Sequence, residues 1–195
     1  MGRAQFAHAD FLRAARDLVA EQGPAAVTVS SVTERLDAPT GSFYHRFASR
    51  DVLLAELWLA TVMAFQVGRV AALDAGDGLA AALHTPKWAR EHLEEACLLM
   101  LYHQDDFVRG KWPARLRQGV AAQAQRMDAL VKKFARDTFG RTDAEALRRA
   151  AFVLIDVPHA AVRRHLVQRE APPPFVDDLI RTAYRAIVGG RRPAN

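Results

Sequence analysis

The stretch from Ala38 to Arg50 reads APTGSFYHRFASR and sets hydroxyl, phenol, imidazole and guanidinium groups together with no acid among them. If it is helical, Phe43 and Phe47 stand four apart, share one face and turn toward a core. Thr40, Ser42, Tyr44, His45 and Arg46 then point mostly outward. Hydroxyls, a phenol and a guanidinium donate to phosphate oxygens, and imidazole and guanidinium reach base edges in a major groove. Gly41 has no side chain, so a phosphate or a partner backbone can approach the helix start closely.

Other chemistry finds less support. The seven histidines, at 8, 45, 84, 92, 103, 159 and 165, lack metal-ligand spacing. There is no phosphate loop, no H-E-x-x-H pair and no di-carboxylate helix motif. We therefore expect no catalytic residues, no metal site and no cofactor. Cys97, the single cysteine, sits in an apolar run and reads as a small buried hydrophobe. Asp156, Pro158 and His159 interrupt an apolar stripe. Pro158 leaves the Leu154 carbonyl without its helical donor, and Asp156 at spacing three could set His159. A ligand role and an interface role both stay open for this cluster.

Helical periodicity runs almost throughout, and no segment alternates with period two, so the expected class is all-α with about nine helices. The first spans roughly Ala9 to Gln22 and stops at Gly23-Pro24. Thr28 caps a second, about Val29 to Leu36, although Ser31 with Glu34 also fits a capping box. Asp37-Ala38-Pro39 is a turn signal, since Asp tolerates a left-handed backbone, and a short helix follows to about Phe47. Ser49 caps a long fourth helix from Arg50. A short helix then ends at His84, Thr85-Pro86 caps another to about Tyr102, and Asp105 to Gly110 forms a loop. Pro113 opens a helix to about Gly140, Thr142 with Glu145 forms a capping box for the eighth, and Pro172-Pro173-Pro174 turns the chain into the last. A small module over 1–50 and a larger one over 51–195 are the expected domains.

The composition, 50% hydrophobic and 25% charged, is that of a globular protein. No apolar run reaches the roughly 18 residues of a membrane helix, because Glu56 and Gln66 break the segment from Val52 to Val67, and the N-terminus lacks the pattern of a secretory signal. A cytoplasmic protein with no membrane partner is expected. The net charge of +5 fits a nucleic-acid partner, but residues 1–50 hold six Arg against five acids, while 110–150 hold ten Lys and Arg against four. The second set reads as a solvated helical face.

From Leu12 to Leu54 the chain resembles the N-terminal domain of TetR-type regulators. AARDLVAEQG and then VTVSSVTERLDAPTGSFYHRFASRDVLL echo the family's pattern, with T-G-S-F-Y-H-R-F-x-S-R-D-x-L-L its most telling piece. It departs at Asp37, where the family usually has Gly, and at Pro39, where a Ser or Thr cap is common. The resemblance implies a ligand-responsive transcriptional regulator, a repressor, with a helix-turn-helix reader for double-stranded operator DNA. It implies that Thr28 and Ser30 hold phosphates, that Thr40, Gly41, Ser42 and Tyr44 touch backbone or groove, that His45 and Arg46 touch bases or phosphates, and that Arg50 anchors a phosphate.

The rest of the chain then corresponds to a ligand-sensing and dimerisation domain. The last two helices supply apolar stripes for a four-helix homodimer interface, with Leu154, Ala161, Val162, His165, Leu179, Ile180, Ala183, Tyr184 and Ile187 as its expected residues. A small-molecule effector is expected among helices four to eight, against Phe65, Trp88, Met100, Tyr102, Phe107, Trp112, Met127 and Phe152. The few charges between Ala96 and Leu101 favour an apolar or aromatic ligand.

Overall fold

The structure is a computed structural model and describes residues 6–107 and 113–189. Its described residues are helical without strands, in the order α1 (His8–Gln22), α2 (Val29–Leu36), α3 (Thr40–Tyr44), α4 (Arg50–Asp74), α5 (Gly78–Glu91), α6 (Leu93–Leu101), α7 (Gln104–Phe107), α8 (Ala114–Phe139), α9 (Ala144–Ala151), α10 (Val157–Val167) and α11 (Phe175–Gly189). A 3-10 turn, Pro24–Ala26, joins α1 to α2, and a π-helical segment, Phe152–Asp156, joins α9 to α10.

Four boundaries outside α3 differ from expectation, each for a local reason. Asp143 rather than Thr142 caps α9, its Oδ1 accepting from the Ala146 N–H at 2.9 Å. Thr85-Pro86 does not start a helix. Pro86 is buried inside α5, and the break comes at His92, whose N–H bonds the Trp88 carbonyl at 2.8 Å before the chain bends. The expected loop after Asp105 contains α7, begun where the His103 N–H donates to Asp106 Oδ2 at 2.8 Å and held by Phe107, which is buried. The eighth expected helix is α9, the π segment and α10 in succession, because Pro158 has no N–H to continue an α pattern.

Helix α4 is the spine. Its first turns, through Leu53, Leu54, Leu57 and Trp58, close a core with Phe11, Val19, Phe43, Phe47, Leu98 and Phe107. The division at residue 50 therefore runs through a shared core, and the N-terminal helices sit on α4, α6 and α7 rather than on a linker. Farther along α4, Phe65 packs with Trp88, Ala96, Val162, Leu166 and Ile180, and Val70 and Leu73 pack with Phe134, Ala150, Val153 and Leu154. By length and composition α4 suffices to cross a membrane, contrary to the expectation of no such segment. Much of its apolar surface is spent on these cores, while Met63 and Val67 stay exposed.

A polar link and a close approach tie α1 and its end to the larger part. Arg16 Nη1 donates to Glu95 Oε1 on α6 at 2.9 Å, while its Nε and Nη2 hold the neighbouring Asp17. The turn after α1 needs φ 86° at Gly23, and a Cβ there would stand 3.2 Å from the Tyr102 hydroxyl oxygen, so conformation and space both favour glycine. Cys97 is buried, burial pushes its thiol pKa up, and its Sγ lies 3.6 Å from the Leu166 carbonyl.

Candidate nucleic-acid interface

Helix α2 starts at Thr28 by a reciprocal cap. Thr28 Oγ1 accepts from the Ser31 N–H at 3.0 Å, and Ser31 Oγ accepts from the Thr28 N–H at 2.9 Å. This settles the two possible starts in favour of Thr28, with Glu34 occupied instead by the Ser30 hydroxyl at 2.8 Å. The helix ends at Asp37, which takes the left-handed conformation (φ 50°, ψ 43°), and the Ala38 N–H reaches back to the Thr33 carbonyl at 2.9 Å. Asp thus serves where a glycine is commoner. Pro39 supplies the extended residue before α3 and offers no side-chain cap.

Helix α3 is a single turn, ending at Tyr44 rather than Phe47, and aromatic packing fixes its angle. Phe43 and Phe47 are buried against Phe11 at centroid distances of 5.9 and 6.1 Å, and His8 lies 4.3 Å from Phe47. His8 is itself held by Glu56 of α4 at 2.9 Å. With those rings inward, Thr40, Gly41, Tyr44, His45 and Arg46 are exposed and Ser42 is half-buried. Among the described residues nothing stands within 4 Å of where a Gly41 Cβ would be, so they leave that approach open. Arg46 Nη2 donates to the Phe6 carbonyl at 3.0 Å and remains at the surface.

Arg50 is placed differently from its expected role as a phosphate anchor. Its Nε donates to the Val27 carbonyl, its Nη2 to the Pro24 carbonyl at 2.8 Å and its Nη1 to Asp51 at 3.3 Å. The guanidinium therefore clamps the 3-10 turn to the start of α4. Arg35, on the outer side of α2, is likewise held by both oxygens of Glu21 at 2.6 and 2.5 Å, which lowers the carboxyl pKa of Glu21.

The expected ligand residues do not come together. Phe65, Trp88 and Met100 share the middle core, with Phe65 and Trp88 rings 5.1 Å apart. Tyr102 and Phe107 pack on the N-terminal core, Met127 packs on the third, Phe152 is 49% exposed, and Trp112 lies outside the described residues. What sequence reasoning missed is a polar cluster around Phe65. The Arg69 guanidinium carbon lies 5.8 Å from the Phe65 centroid, with the His84 ring at 5.2 Å and the His159 ring at 6.3 Å. Arg69 is 3% exposed, and burial pulls its pKa down to about 10. Its Nη2 donates to the Leu154 carbonyl at 3.3 Å, the carbonyl that Pro158 deprives of a helical donor. His159 is held neutral by burial and by Arg69, with a pKa pushed down to about 4. Its Nε2 has no partner, so the expected setting by Asp156 is not made. Asp156 is exposed and lines an outer groove with Phe152 and Ile187. The signal for Arg69 was present in the sequence, as a lone cation within the apolar second half of α4.

The expected dimer residues divide as well. Leu154, Val162 and Ile180 are fully buried in the chain's own core and present nothing to a partner. Tyr184 packs toward Phe134, at 6.4 Å, and Ala161, His165, Ala183 and Ile187 are half-buried. Leu179 is exposed, as are Val167 and Phe175, which had not been singled out, and Phe152, which was expected to line the ligand site. Among the described residues no group of three or more His, Cys, Asp or Glu is placed to hold a metal ion.

Residues 11–57, which span α1 to the first turns of α4, match the model of the bacterial regulatory proteins of the tetR family. No curated protein matches the chain in sequence. Among solved structures, a tetR family transcription regulator from Shewanella sp. PV-4 superposes with TM-score 0.68 at 16% identity, covering 96% of this chain and 98% of that one. The regulator FadR from Bacillus subtilis, solved with stearoyl-CoA, gives 0.64 at 11% over 95% and 100% of the two chains. The ketosteroid regulator KstR2 of Mycobacterium tuberculosis gives 0.62 at 17% over 99% and 98%. The whole chain thus has the fold of these regulators, and its segment 11–57, with the acid-free face of α3 at its centre, matches the tetR family of bacterial regulatory proteins.

Proposed function

We propose that the protein is a cytoplasmic transcriptional repressor that binds a near-palindromic operator as a homodimer and is released by a small, largely apolar ligand. The observation that carries this reading is the exposed face of α3. With the turn His45–Arg46 that follows it, this face lies within the segment that matches the family model, bears hydroxyls, imidazole and guanidinium without an acid, and is angled by three buried phenylalanines. A helix so presented fits a major groove, and the open space at Gly41 lets its start approach a phosphate.

A second copy would join through α10 and α11, where Phe152, Val167, Phe175 and Leu179 leave an apolar surface uncovered. Two readers would then engage half-sites roughly 34–36 Å apart. The ligand belongs to the larger part. Regulators of this fold include one bound to stearoyl-CoA and one named for ketosteroids. Its effect would pass through α4 and through the Arg16–Glu95 link between α1 and α6, by favouring a reader separation unsuited to the operator. Mobility shift with duplex DNA flanking the protein's own gene tests the reading. A dimer holding six to ten phosphates loses roughly 10³ to 10⁵ in affinity between about 50 and 200 mM salt. Absence of any shifted complex at low salt would remove DNA binding from the account.

A further inference from the structure

Arg69 poses an energetic problem that the fold does not solve. A guanidinium that is 3% exposed has left water, and among the described residues it is in no ion pair. Its one hydrogen bond, to the Leu154 carbonyl, is long at 3.3 Å, and its Nε has no partner at all. A buried cation is ordinarily paired and fully hydrogen-bonded, because an uncompensated one costs several kcal/mol. The aromatic face of Phe65, 5.8 Å away, offers only a weak substitute.

The surroundings add unpaired groups of the matching kind. His159 Nε2, across the Phe65 ring, has no hydrogen-bond partner, nor does Thr85 Oγ1, which is fully buried on α5 beside His84. Arg69 Nε is a donor, the Thr85 hydroxyl can donate or accept, and His159 Nε2 donates in one of the two neutral tautomers; Arg69 and His159 stand around one ring whose other neighbours are apolar or aromatic. The third wall is the π-wound segment Phe152–Asp156, a local distortion of the kind that concentrates at functional sites. Donors gathered about a buried positive charge are complementary to a carboxylate, with its two oxygens and about four lone-pair positions. Trp88 at 5.1 Å from Phe65, with Met100 in the same core, supplies the apolar surroundings for the rest of the molecule.

Resting on the ligand-sensing reading above, we propose that the effector is a monocarboxylic acid with an apolar body, whose carboxylate pairs with Arg69 between α4, α5 and the π segment. The charge is then neutralised inside the protein only when the ligand is bound.

The test is thermal unfolding of the full-length protein with octanoate, palmitate, phenylacetate and benzoate, each against the alcohol of the same skeleton, with inorganic phosphate as the bare anion. Variants Arg69→Met and Arg69→Lys are measured alongside. At least one acid is expected to raise the midpoint where its alcohol does not, and Arg69→Met is expected to weaken that acid's binding on the order of a hundred-fold. Without ligand, Arg69→Met is expected to unfold no earlier than the wild type, because it removes an unpaired buried charge. A purely structural arginine would instead show a lowered midpoint and no ligand effect. Should Arg69→Met not fold, Arg69→Lys decides, being expected to keep the preference for acid over alcohol. The proposal is overturned if no acid exceeds its alcohol, if phosphate alone gives the whole shift, if Arg69→Met responds to the acids as the wild type does, or if Arg69→Lys loses the preference for acid over alcohol. None of these readouts involves DNA, so failure of operator binding would leave them intact and would be seen separately.

Discussion

His159 is a residue whose protonation the fold opposes. Its pKa is pushed down to about 4 by burial and by the charge of Arg69, against about 6.5 when unfolded. The unfolded chain therefore takes up the proton first. The stability this confers is complete above pH 6.5 and is lost as the pH falls from there toward 4, by roughly 3 kcal/mol in the limit. Urea unfolding of wild type and His159→Leu from pH 7.5 to 4.5 should show the wild type losing stability faster on acidification. Parallel curves would mean that water reaches the imidazole. At this scale much was legible in the sequence. The inward turn of Phe43 and Phe47 followed from their spacing, and the left-handed Asp37 followed from the short polar side chain that tolerates it. The environment of Arg69 and the clamp made by Arg50 were not legible, because each depends on carbonyls brought in from distant turns.

Among the elements, α6 links the two parts of the chain. It packs on α1 and on α10, and Arg16 reaches it through Glu95. Both partners are partly exposed, at 28% and 21% of the side chain, so the pair contributes little to stability, about 1 kcal/mol or less. Its importance would lie in transmission. Glu95→Gln is expected to leave the unfolding midpoint within a few degrees while reducing the effect of a bound effector on operator affinity. An unchanged effect would assign the coupling to α4 alone. The register of these elements also shows which of the expected dimer residues the chain's own core takes up. The stripe through Leu154, Pro158 and Val162 was correctly phased as one face, but the chain's own core takes it first. The stripe left outside mixes Phe152, Asp156, Ala160, Arg164 and Val167, too polar to stand out as an interface. Likewise Pro86 signalled a helix start, yet it lies within α5 where the packing around it overrides local preference.

For the whole molecule, the apolar surface over α10 and α11 bears on whether one chain is the working unit. Leu179 is 58% exposed and Phe152 is 49% exposed, so a charge at either leaves the folded chain undisturbed. Leu179→Glu with Phe152→Glu is expected to give a folded monomer by sedimentation, with operator affinity falling steeply because each reader would then hold its half-site alone. A variant that remains dimeric would place the interface elsewhere. The helical class and the reader's layout were available from periodicity and caps, which are local. The shared core that joins the reader to α4, α6 and α7 depends on contacts such as Trp58 with Phe107, at 4.9 Å, between residues far apart in sequence.

The central claim is that the face of α3 reads DNA. It is tested most directly by the affinity of a His45→Ala, Arg46→Ala double variant for duplex DNA that the wild type binds, with both unfolding midpoints measured. Both side chains are exposed, and among the described residues the side-chain bond lost is one to the Phe6 carbonyl. The account predicts equal midpoints and a loss of binding of at least about ten-fold, since each good base contact is worth about 1–3 kcal/mol. Undiminished affinity with an intact fold would contradict it and move the DNA-binding surface away from α3.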